Sequence, residues 1–213
     1  MNEKFKERRK EYRKESFNLE DVHHDPYKQF MVWMDKAIKS DIYEPNAMSL
    51  ATCGKNMQPS TRMVLLKELK KDGFIFFTNY RSKKGFQLKE NPYGSILFYW
   101  PELELQIRVD GRIEQTTDEV SDEFYLSRTG KSRIGAWASP QSTEIPDRDY
   151  LEQLHADYEL QFIGQFPKRP KYWGGYVLIP YTFEFWQGRK NRLHDRIEYY
   201  LDDNEWKIRR LAP

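Results

Sequence analysis

The sequence lacks several features that mark common classes of protein. It contains one cysteine, Cys53, so no internal disulfide can form, and a reducing cytosol is the expected compartment. No apolar run approaches the roughly 20 residues that span a bilayer. The N-terminal residues 1–15 are mostly charged and lack the apolar segment of a secretory signal. These absences predict a cytoplasmic protein without a membrane anchor.

The sequence also lacks a large excess of charge of either sign. Lys and Arg total 35 and Asp and Glu total 33, so the formal net charge is +2. Binding to a nucleic-acid backbone requires a strongly basic face, which this balance does not favour. The basic residues cluster locally, at 4–14, 81–84, 128–133, 168–171 and 189–196. Local clusters in a nearly neutral chain favour small anionic ligands.

The motifs of protein-only catalysis are missing as well. The histidines and the cysteine do not have the spacing of a zinc site, so no metal is predicted. The sequence has no G-x-G-x-x-G, no Walker loop and no G-x-S-x-G. Hydrolytic or phosphoryl-transfer chemistry by side chains alone therefore has no support. A cofactor that carries the difficult step is the remaining possibility.

The local patterns predict an α+β protein. Asp25 and Pro26 form a helix start, and apolar residues follow at helical spacing. The predicted helices are 26–39, 82–90, 117–127 and 147–162. The predicted strands are 47–53, 59–67, 74–79, 95–99, 104–115, 173–179, 182–186, 196–201 and 206–210. Consecutive strands with short turns indicate an antiparallel meander or barrel, so we expect one domain over 21–213 after a basic arm, 1–20.

Three stretches combine cations with hydroxyls or apolar strands. In 62–67, Arg62 and Lys67 would face opposite sides of a regular strand. Either they bind different anions, or a bulge brings them to one side. The alternative is an edge strand on which both charges are solvated. Residues 77–84 run from a strand end into a helix start, where free N–H groups favour phosphate; a solvated helix start is the alternative. In 127–137, hydroxyls alternate with cations before a predicted helix.

The most informative stretch is 183–196, which holds Trp186, Arg192, His194 and Arg196. Arginine recognises planar anions through two parallel hydrogen bonds. Histidine has the side-chain pKa nearest neutrality, and tryptophan offers a flat apolar face. Together they predict a site for a ring that carries an anionic group, with a structural histidine and a core tryptophan as the alternative.

Six motifs occur in an order that resembles a known family. They are RMVLLK at 62–67, FFTNYRSKK at 76–84, SRIGAWASPQS at 132–142, FWQG at 185–188, RLHDR at 192–196 and WKIRRLAP at 206–213. From about residue 20 to its end, the chain resembles the pyridoxine (pyridoxamine) 5′-phosphate oxidases. The resemblance implies a split β-barrel with flanking helices, FMN as cofactor, and a homodimer with its sites at the subunit interface. It implies oxidation of pyridoxine or pyridoxamine 5′-phosphate to pyridoxal 5′-phosphate, with oxygen as acceptor and hydrogen peroxide as product.

The same resemblance implies roles for individual residues. It places FMN on Arg62, Met63, Val64, Leu65, Leu66, Lys67, Phe77, Thr78, Lys83, Lys84, Gln106, Gln141, Ser142, Trp186 and Arg196. It places the substrate on Lys67, Phe124, Arg128, Ser132, Arg192, Leu193 and His194. Within that set, Lys67, Arg128 and Ser132 would hold the substrate phosphate. Arg192 and His194 would lie over the substrate ring as the catalytic residues.

Three positions depart from the family pattern. Phe124 stands where the family usually has a tyrosine, Lys83 where it often has arginine, and Thr129-Gly130 where Pro-Arg is commoner. Two alternatives stay open at this point. One is another split-barrel flavoprotein, such as a flavin reductase-like protein; the other is a non-catalytic protein that binds FMN or pyridoxal phosphate.

Overall fold

The computed structural model of the protein describes residues 11–12, 15–71 and 73–213. The chain forms two compact units. The first contains the described residues of Met1–Ser49, Ser95–Asp110 and Pro180–Pro213, and the second contains those of Leu50–Gly94 and Gly111–Ile179. The predicted basic arm lies mostly outside the described residues. Its boundary at residue 20, and a single domain over 21–213, stay predictions.

The described residues form five α-helices and nine strands. The helices are α1 Pro26–Lys39, α2 Lys83–Glu90, α3 Asp118–Ser127, α4 Gly130–Ala138 and α5 Arg148–Gln161. The strands are β1 Ala47–Cys53, β2 Pro59–Leu65, β3 Glu68–Lys70, β4 Gly73–Asn79, β5 Tyr93–Trp100, β6 Leu105–Gln115, β7 Trp173–Gln187, β8 Asp195–Asp202 and β9 Glu205–Leu211. None of these helices is long and apolar enough to cross a membrane.

The strands build one antiparallel sheet. Its order is β2-β1-β5-β6-β7-β4-β3, and β8 pairs with both β7 and β9. The defined registers join β3 to β4, β4 to β7, β7 to β8 and β8 to β9. The sheet confirms the expected antiparallel arrangement: β3 pairs with β4, β7 with β8, and β8 with β9, each pair consecutive in the chain.

The starts of α1 and α5 agree with the sequence-based prediction because side-chain caps specify them locally. The Asp25 carboxylate accepts from the Tyr27 N–H at 2.9 Å, and Pro26 occupies the first helical position. Asp147 accepts from the Tyr150 N–H at 2.8 Å in the same way at the start of α5. These caps satisfy N–H groups that have no partner within the helix.

The predicted break between strands 173–179 and 182–186 is wrong, because β7 continues through Pro180. Proline cannot donate a backbone hydrogen bond, which normally interrupts a sheet. In β7, the pairing with β4 covers 173–178 and the pairing with β8 covers 182–187. Pro180 lies between these two ladders, so neither of them needs its missing N–H.

Two other segments differ from expectation. The stretch 127–137 was expected to precede a helix, but most of it belongs to one, since α4 covers Gly130–Ala138 and includes Ser132. The predicted strand 59–67 ends at Leu65, and the short β3 follows and pairs with β4. Gly73 at the start of β4 has φ +147, and a side chain there would meet the Leu178 carbonyl oxygen at 2.0 Å.

Each unit has its own aromatic core. In the first unit, Phe30 packs edge-on against Phe98, and Phe185 packs against Trp33 and Tyr199. In the second unit, the buried residues Tyr125, Ala136 and Trp173 form a cluster that Phe77, Phe124 and Tyr172 cover. This second cluster joins the end of α3, through Phe124 and Tyr125, to α4, through Ala136.

Candidate functional site

In the second unit, the guanidinium of Arg62 is held by neutral oxygens. Its Nη1 donates to the Leu50 carbonyl at 3.1 Å and to Thr52 Oγ1 at 2.6 Å. Its Nη2 donates to Ser60 Oγ at 2.8 Å. Burial lowers the pKa of Arg62 from its ordinary value. The described residues supply no carboxylate for this cation, so it contributes uncompensated positive charge.

The rest of the 62–67 stretch does not behave as one strand. Met63 is 64% exposed, Leu66 is buried, and Lys67 is exposed beyond the end of β2. Val64 and Leu65 are half-buried. The prediction that Arg62 and Lys67 face opposite sides assumed that one strand continues through Lys67. It does not apply, because β2 ends at Leu65.

Lys84 is the clearest charged feature of the second unit. It is only 7% exposed, on the first turn of α2. Its Nζ donates to Gln141 Oε1 at 2.7 Å, to Ser82 Oγ at 3.1 Å and to Thr78 Oγ1 at 3.2 Å. Burial, and then the charge of Arg62, lower the pKa of Lys84 to about 8. Among the described residues, no carboxylate pairs with Lys84.

Of the predicted residues near Lys84 in the sequence or the fold, some contact its ammonium group and others do not. Thr78 Oγ1 also donates to Gln141 Oε1 at 3.0 Å, so these three predicted residues form one network. Lys83 is exposed and is not part of this network. Ser142 is exposed with a left-handed backbone, φ 69, directly after the network. The structure therefore brings Thr78, Lys84 and Gln141 together and leaves Lys83 at the surface.

Three predicted residues of the second unit line a single pocket of about 440 Å³: Lys67, Phe77 and Phe124. Phe77 and Phe124 stack at 3.8 Å between ring centroids, with 12° between their planes. Lys67 Nζ lies 6.0 Å from the Phe124 ring centroid. Phe124 carries no hydroxyl, so its contribution to this pocket is a flat apolar wall.

Arg128 and Ser132 lie at the corner between α3 and α4. Arg128 Nη2 donates to the Ser132 carbonyl at 2.7 Å, and its guanidinium lies 4.5 Å over the Trp173 ring. Ser132 Oγ accepts from Thr129 Oγ1 at 3.0 Å. Burial lowers the pKa of Arg128. Within the described part of the chain, this arginine too has no carboxylate partner.

In the first unit, Trp186, His194 and Tyr12 form an aromatic cluster. The centroids of Trp186 and His194 are 4.6 Å apart, and Tyr12 packs edge-on against both at 5.6 and 5.5 Å. His194 Nδ1 accepts from the Arg189 N–H at 3.0 Å, so the neutral ring carries its proton on Nε2. Burial, and then the charge of Arg192, lower the pKa of His194, and Asp195 opposes them.

Arg192 and Leu193 are both exposed beside this cluster. Arg192 has φ 62 and follows Asn191 at φ 57. Left-handed backbone at a residue other than glycine costs of order 1 kcal/mol or more, and such strain is frequent at functional sites. The exposed guanidinium of Arg192 is therefore presented by an unusual turn.

Arg196 is committed to an ion pair inside the first unit. Its Nε and Nη2 donate to the two carboxylate oxygens of Glu184 at 2.8 and 3.0 Å, and Nη1 donates to the Ala212 carbonyl at 2.7 Å. The hydrogen bond to Glu184 raises the pKa of Arg196. Arg108 also contacts Glu184 at 3.0 Å. Gln106 is half-buried on β6 in the same unit.

Two supporting residues escaped the sequence analysis. Glu184, 4% exposed, orients Arg196, and Ser82 both caps α2 and contacts Lys84. A signal for Glu184 was present, since it is a lone acid between two phenylalanines of a strand. Nothing in the sequence singled out Ser82 beyond its place at a helix start.

Solved structures of other proteins share this fold, which is the split β-barrel of the oxidase-related flavoproteins. PhzG from Burkholderia lata 383, in complex with tetrahydrophenazine-1-carboxylic acid, matches with a TM-score of 0.86 and 31% identity, over 91% of this chain and 95% of that one. A pyridoxamine 5′-phosphate oxidase-related, FMN binding protein from Nostoc punctiforme matches with a TM-score of 0.68 and 19% identity, over 89% of this chain and 98% of that one.

Sequence comparisons identify the family within this class. Residues 34–160 match the pyridoxamine 5′-phosphate oxidase family model, and residues 173–213 match the pyridoxine 5′-phosphate oxidase C-terminal dimerisation region. A pyridoxine/pyridoxamine 5′-phosphate oxidase of Cupriavidus pinatubonensis is 53% identical over 93% of each chain. That of Polynucleobacter asymbioticus is 49% identical over 96% of this chain and 97% of its own. The chain belongs to the pyridoxine/pyridoxamine 5′-phosphate oxidase family.

Proposed function

We propose that this chain oxidises pyridoxine 5′-phosphate or pyridoxamine 5′-phosphate to pyridoxal 5′-phosphate, with FMN as cofactor and molecular oxygen as acceptor. The reacting carbon loses a hydride, the attached hydroxyl or amino group loses a proton, and oxygen is reduced to hydrogen peroxide. The amine substrate also consumes water and releases ammonia. Family membership over nearly the whole chain supports this reaction.

One observation carries the proposal within the structure. Lys84 and Arg128 are separate cations of the second unit, each bonded to neutral oxygens and, among the described residues, without a carboxylate. A desolvated cation without a counter-charge is unfavourable unless a ligand supplies one. FMN and the substrate each carry one phosphate, so two anion sites are what this reaction requires.

The residues around Lys84 fit the phosphate of FMN. Thr78 and Gln141 surround the buried ammonium, and Arg62 adds a second charge nearby. Lys83 and Ser142 lie at the edge of that group. The rest of the proposed FMN set is Met63, Val64, Leu65, Leu66, Lys67, Phe77, Gln106, Trp186 and Arg196. When bound, FMN supplies the two-electron acceptor.

The proposed substrate site divides its work between phosphate and ring. Lys67, Arg128 and Ser132 hold the phosphate, and Phe124 forms an apolar wall. Arg192 balances the phenolate of the pyridine ring, with Leu193 beside it. His194 donates from Nε2, because Nδ1 is occupied by the Arg189 N–H. The lowered pKa of His194 favours its neutral form, in which Nε2 is the hydrogen-bond donor.

The active form is proposed to be a homodimer with its sites at the subunit interface. The family's dimerisation region, residues 173–213, contains Trp186, Arg192, His194 and Arg196. These four of the proposed cofactor and substrate residues therefore belong to the segment that matches the family's dimerisation region.

The direct test is peroxide release. FMN-replete protein should form equal amounts of hydrogen peroxide and pyridoxal 5′-phosphate on addition of pyridoxine 5′-phosphate, and ammonia should appear with pyridoxamine 5′-phosphate. Unphosphorylated pyridoxine serves as the matched control and should react poorly, because Lys67 and Arg128 would have no phosphate to hold. Absence of turnover with both phosphorylated compounds would refute the oxidase function and leave the two alternatives, another split-barrel flavoprotein or a non-catalytic binder.

FMN affinity should weaken as the pH rises above about 8. Lys84 has a pKa of about 8 in the free protein, below its ordinary value of 10.5. A bound phosphate favours the ammonium and raises that pKa, so above about pH 8 binding must take up a proton. The dissociation constant should then rise by up to roughly tenfold per pH unit. Fluorescence titration of FMN from about pH 7 to about pH 9 measures it, and a flat profile would contradict this role of Lys84.

A further inference from the structure

The corner between α3 and α4 is fixed by an arginine that has no role so far. Arg133 Nη1 donates to the Leu126 carbonyl at 3.1 Å and to the Arg128 carbonyl at 2.8 Å. Both carbonyls lie where α3 ends, and such groups lack partners within the helix. Arg133 therefore supplies hydrogen bonds that the end of α3 would otherwise lack.

Other contacts hold Arg133 itself in place. Its guanidinium lies 3.9 Å over the Phe166 ring, and Tyr125 Oη donates to the Arg133 carbonyl at 3.4 Å. In the opposite direction, Arg128 Nη2 donates to the Ser132 carbonyl at 2.7 Å. Each arginine side chain therefore bonds to the main chain on the other side of the corner: Arg133 to the Arg128 carbonyl, and Arg128 to the carbonyl of Ser132, the residue before Arg133.

We propose that Arg133 is a positioning residue for the phosphate subsite of Arg128 and Ser132. This inference rests on the proposed function, because it takes that subsite as the place of the substrate phosphate. Arg133 Nη1 donates to main-chain carbonyls, and one of these is the carbonyl of Arg128 itself. It acts through the backbone that carries the Arg128 side chain and does not bind the ligand.

The physical reason is geometric. Bidentate recognition of phosphate requires the arginine fork to be correctly placed, so a displaced fork binds phosphate more weakly. Without Arg133, the Leu126 and Arg128 carbonyls lose their donor, and the corner can relax toward water. The Arg128 fork would then move relative to Ser132, while the Lys84 network has no bond to Arg133.

The test compares Arg133→Ala with Lys131→Ala in the FMN-replete holoenzyme. Lys131 is an exposed cation on the same helix and controls for charge. We expect Arg133→Ala to raise KM for pyridoxine 5′-phosphate and Ki for inorganic phosphate by a similar factor, about tenfold. kcat and FMN content should stay close to the parent values, and Lys131→Ala should change neither constant.

Arg133→Lys is the second variant, for the case that Arg133→Ala folds poorly. It keeps a cation near Phe166 and a hydrogen-bond donor, so we expect KM and Ki to rise less than in Arg133→Ala. Unchanged KM and Ki in both variants would overturn the inference. Equal losses of FMN content and kcat would overturn it too, because they indicate a general structural role. If the parent protein turns over neither substrate, the proposed function fails, and calorimetric binding of inorganic phosphate to the parent and to the variants still decides the role of Arg133.

Discussion

Replacing Lys84 with methionine should lower the affinity for FMN by about 10- to 100-fold, because a hydrogen bond to a charged group contributes on the order of 1.5–3 kcal/mol. Methionine keeps an apolar stem of similar length and removes the only ammonium in the network with Thr78 and Gln141. Titration of the free protein with FMN, followed by flavin fluorescence, measures the change.

The same variant should not lose stability in the absence of FMN. The pKa of Lys84 is lowered in the folded protein, so below about pH 8 the fold bears the cost of a desolvated charge. That cost disappears with the charge, and the free energy of unfolding should be equal or higher. Lys89→Met, on an exposed position of α2, is the matched control and should change neither quantity. Normal FMN affinity in Lys84→Met would contradict the site.

Replacing Arg192 with alanine should lower kcat/KM by more than tenfold, which corresponds to roughly 1.4 kcal/mol or more of transition-state stabilisation. Arg192 is an exposed cation on a strained turn beside the Trp186–His194 cluster. Its proposed work is to place the pyridine ring and to balance its phenolate. Steady-state kinetics with pyridoxine 5′-phosphate, at saturating FMN, is the measurement.

The control for Arg192 is Lys190→Ala, an exposed cation in the same short turn. It should leave kcat/KM within about twofold, because an isolated surface charge contributes little. FMN content must be normal in both variants, since Arg192 is placed on the substrate and not on the cofactor. Unchanged turnover in FMN-replete Arg192→Ala would remove this residue from the mechanism.

Local signals explain which elements could be predicted from the sequence. The helix 26–39 matches its predicted bounds because Asp25 and Pro26 act within one turn. The strand 47–53 also matches its predicted bounds, since alternate residues are buried and turn residues follow. The break expected at Pro180 was wrong because its effect depends on where the β4 and β8 ladders begin, which is not local information.

The candidate site shows the same division. The order of motifs from 62–67 to 192–196 indicated the family, and the family models agree. The individual roles stay proposals, and the sequence could not rank the cations among them. Arg196 was expected to serve FMN, and the structure adds that Glu184 and the Ala212 carbonyl already hold its guanidinium. Any contact with FMN must use the donor capacity that remains.

By itself, the sequence determined most of the helices and strands and the family, because these depend on residue identity and spacing; it missed α4 and the continuity of β7. Only the tertiary structure distinguished Lys83 from Lys84. One is exposed, whereas the other is buried against Gln141, 57 residues further along the chain. The pKa of a lysine depends on its desolvation and on the charges around it. Both are set by residues distant in sequence, so packing decides which of the two lysines is buried and has its pKa lowered.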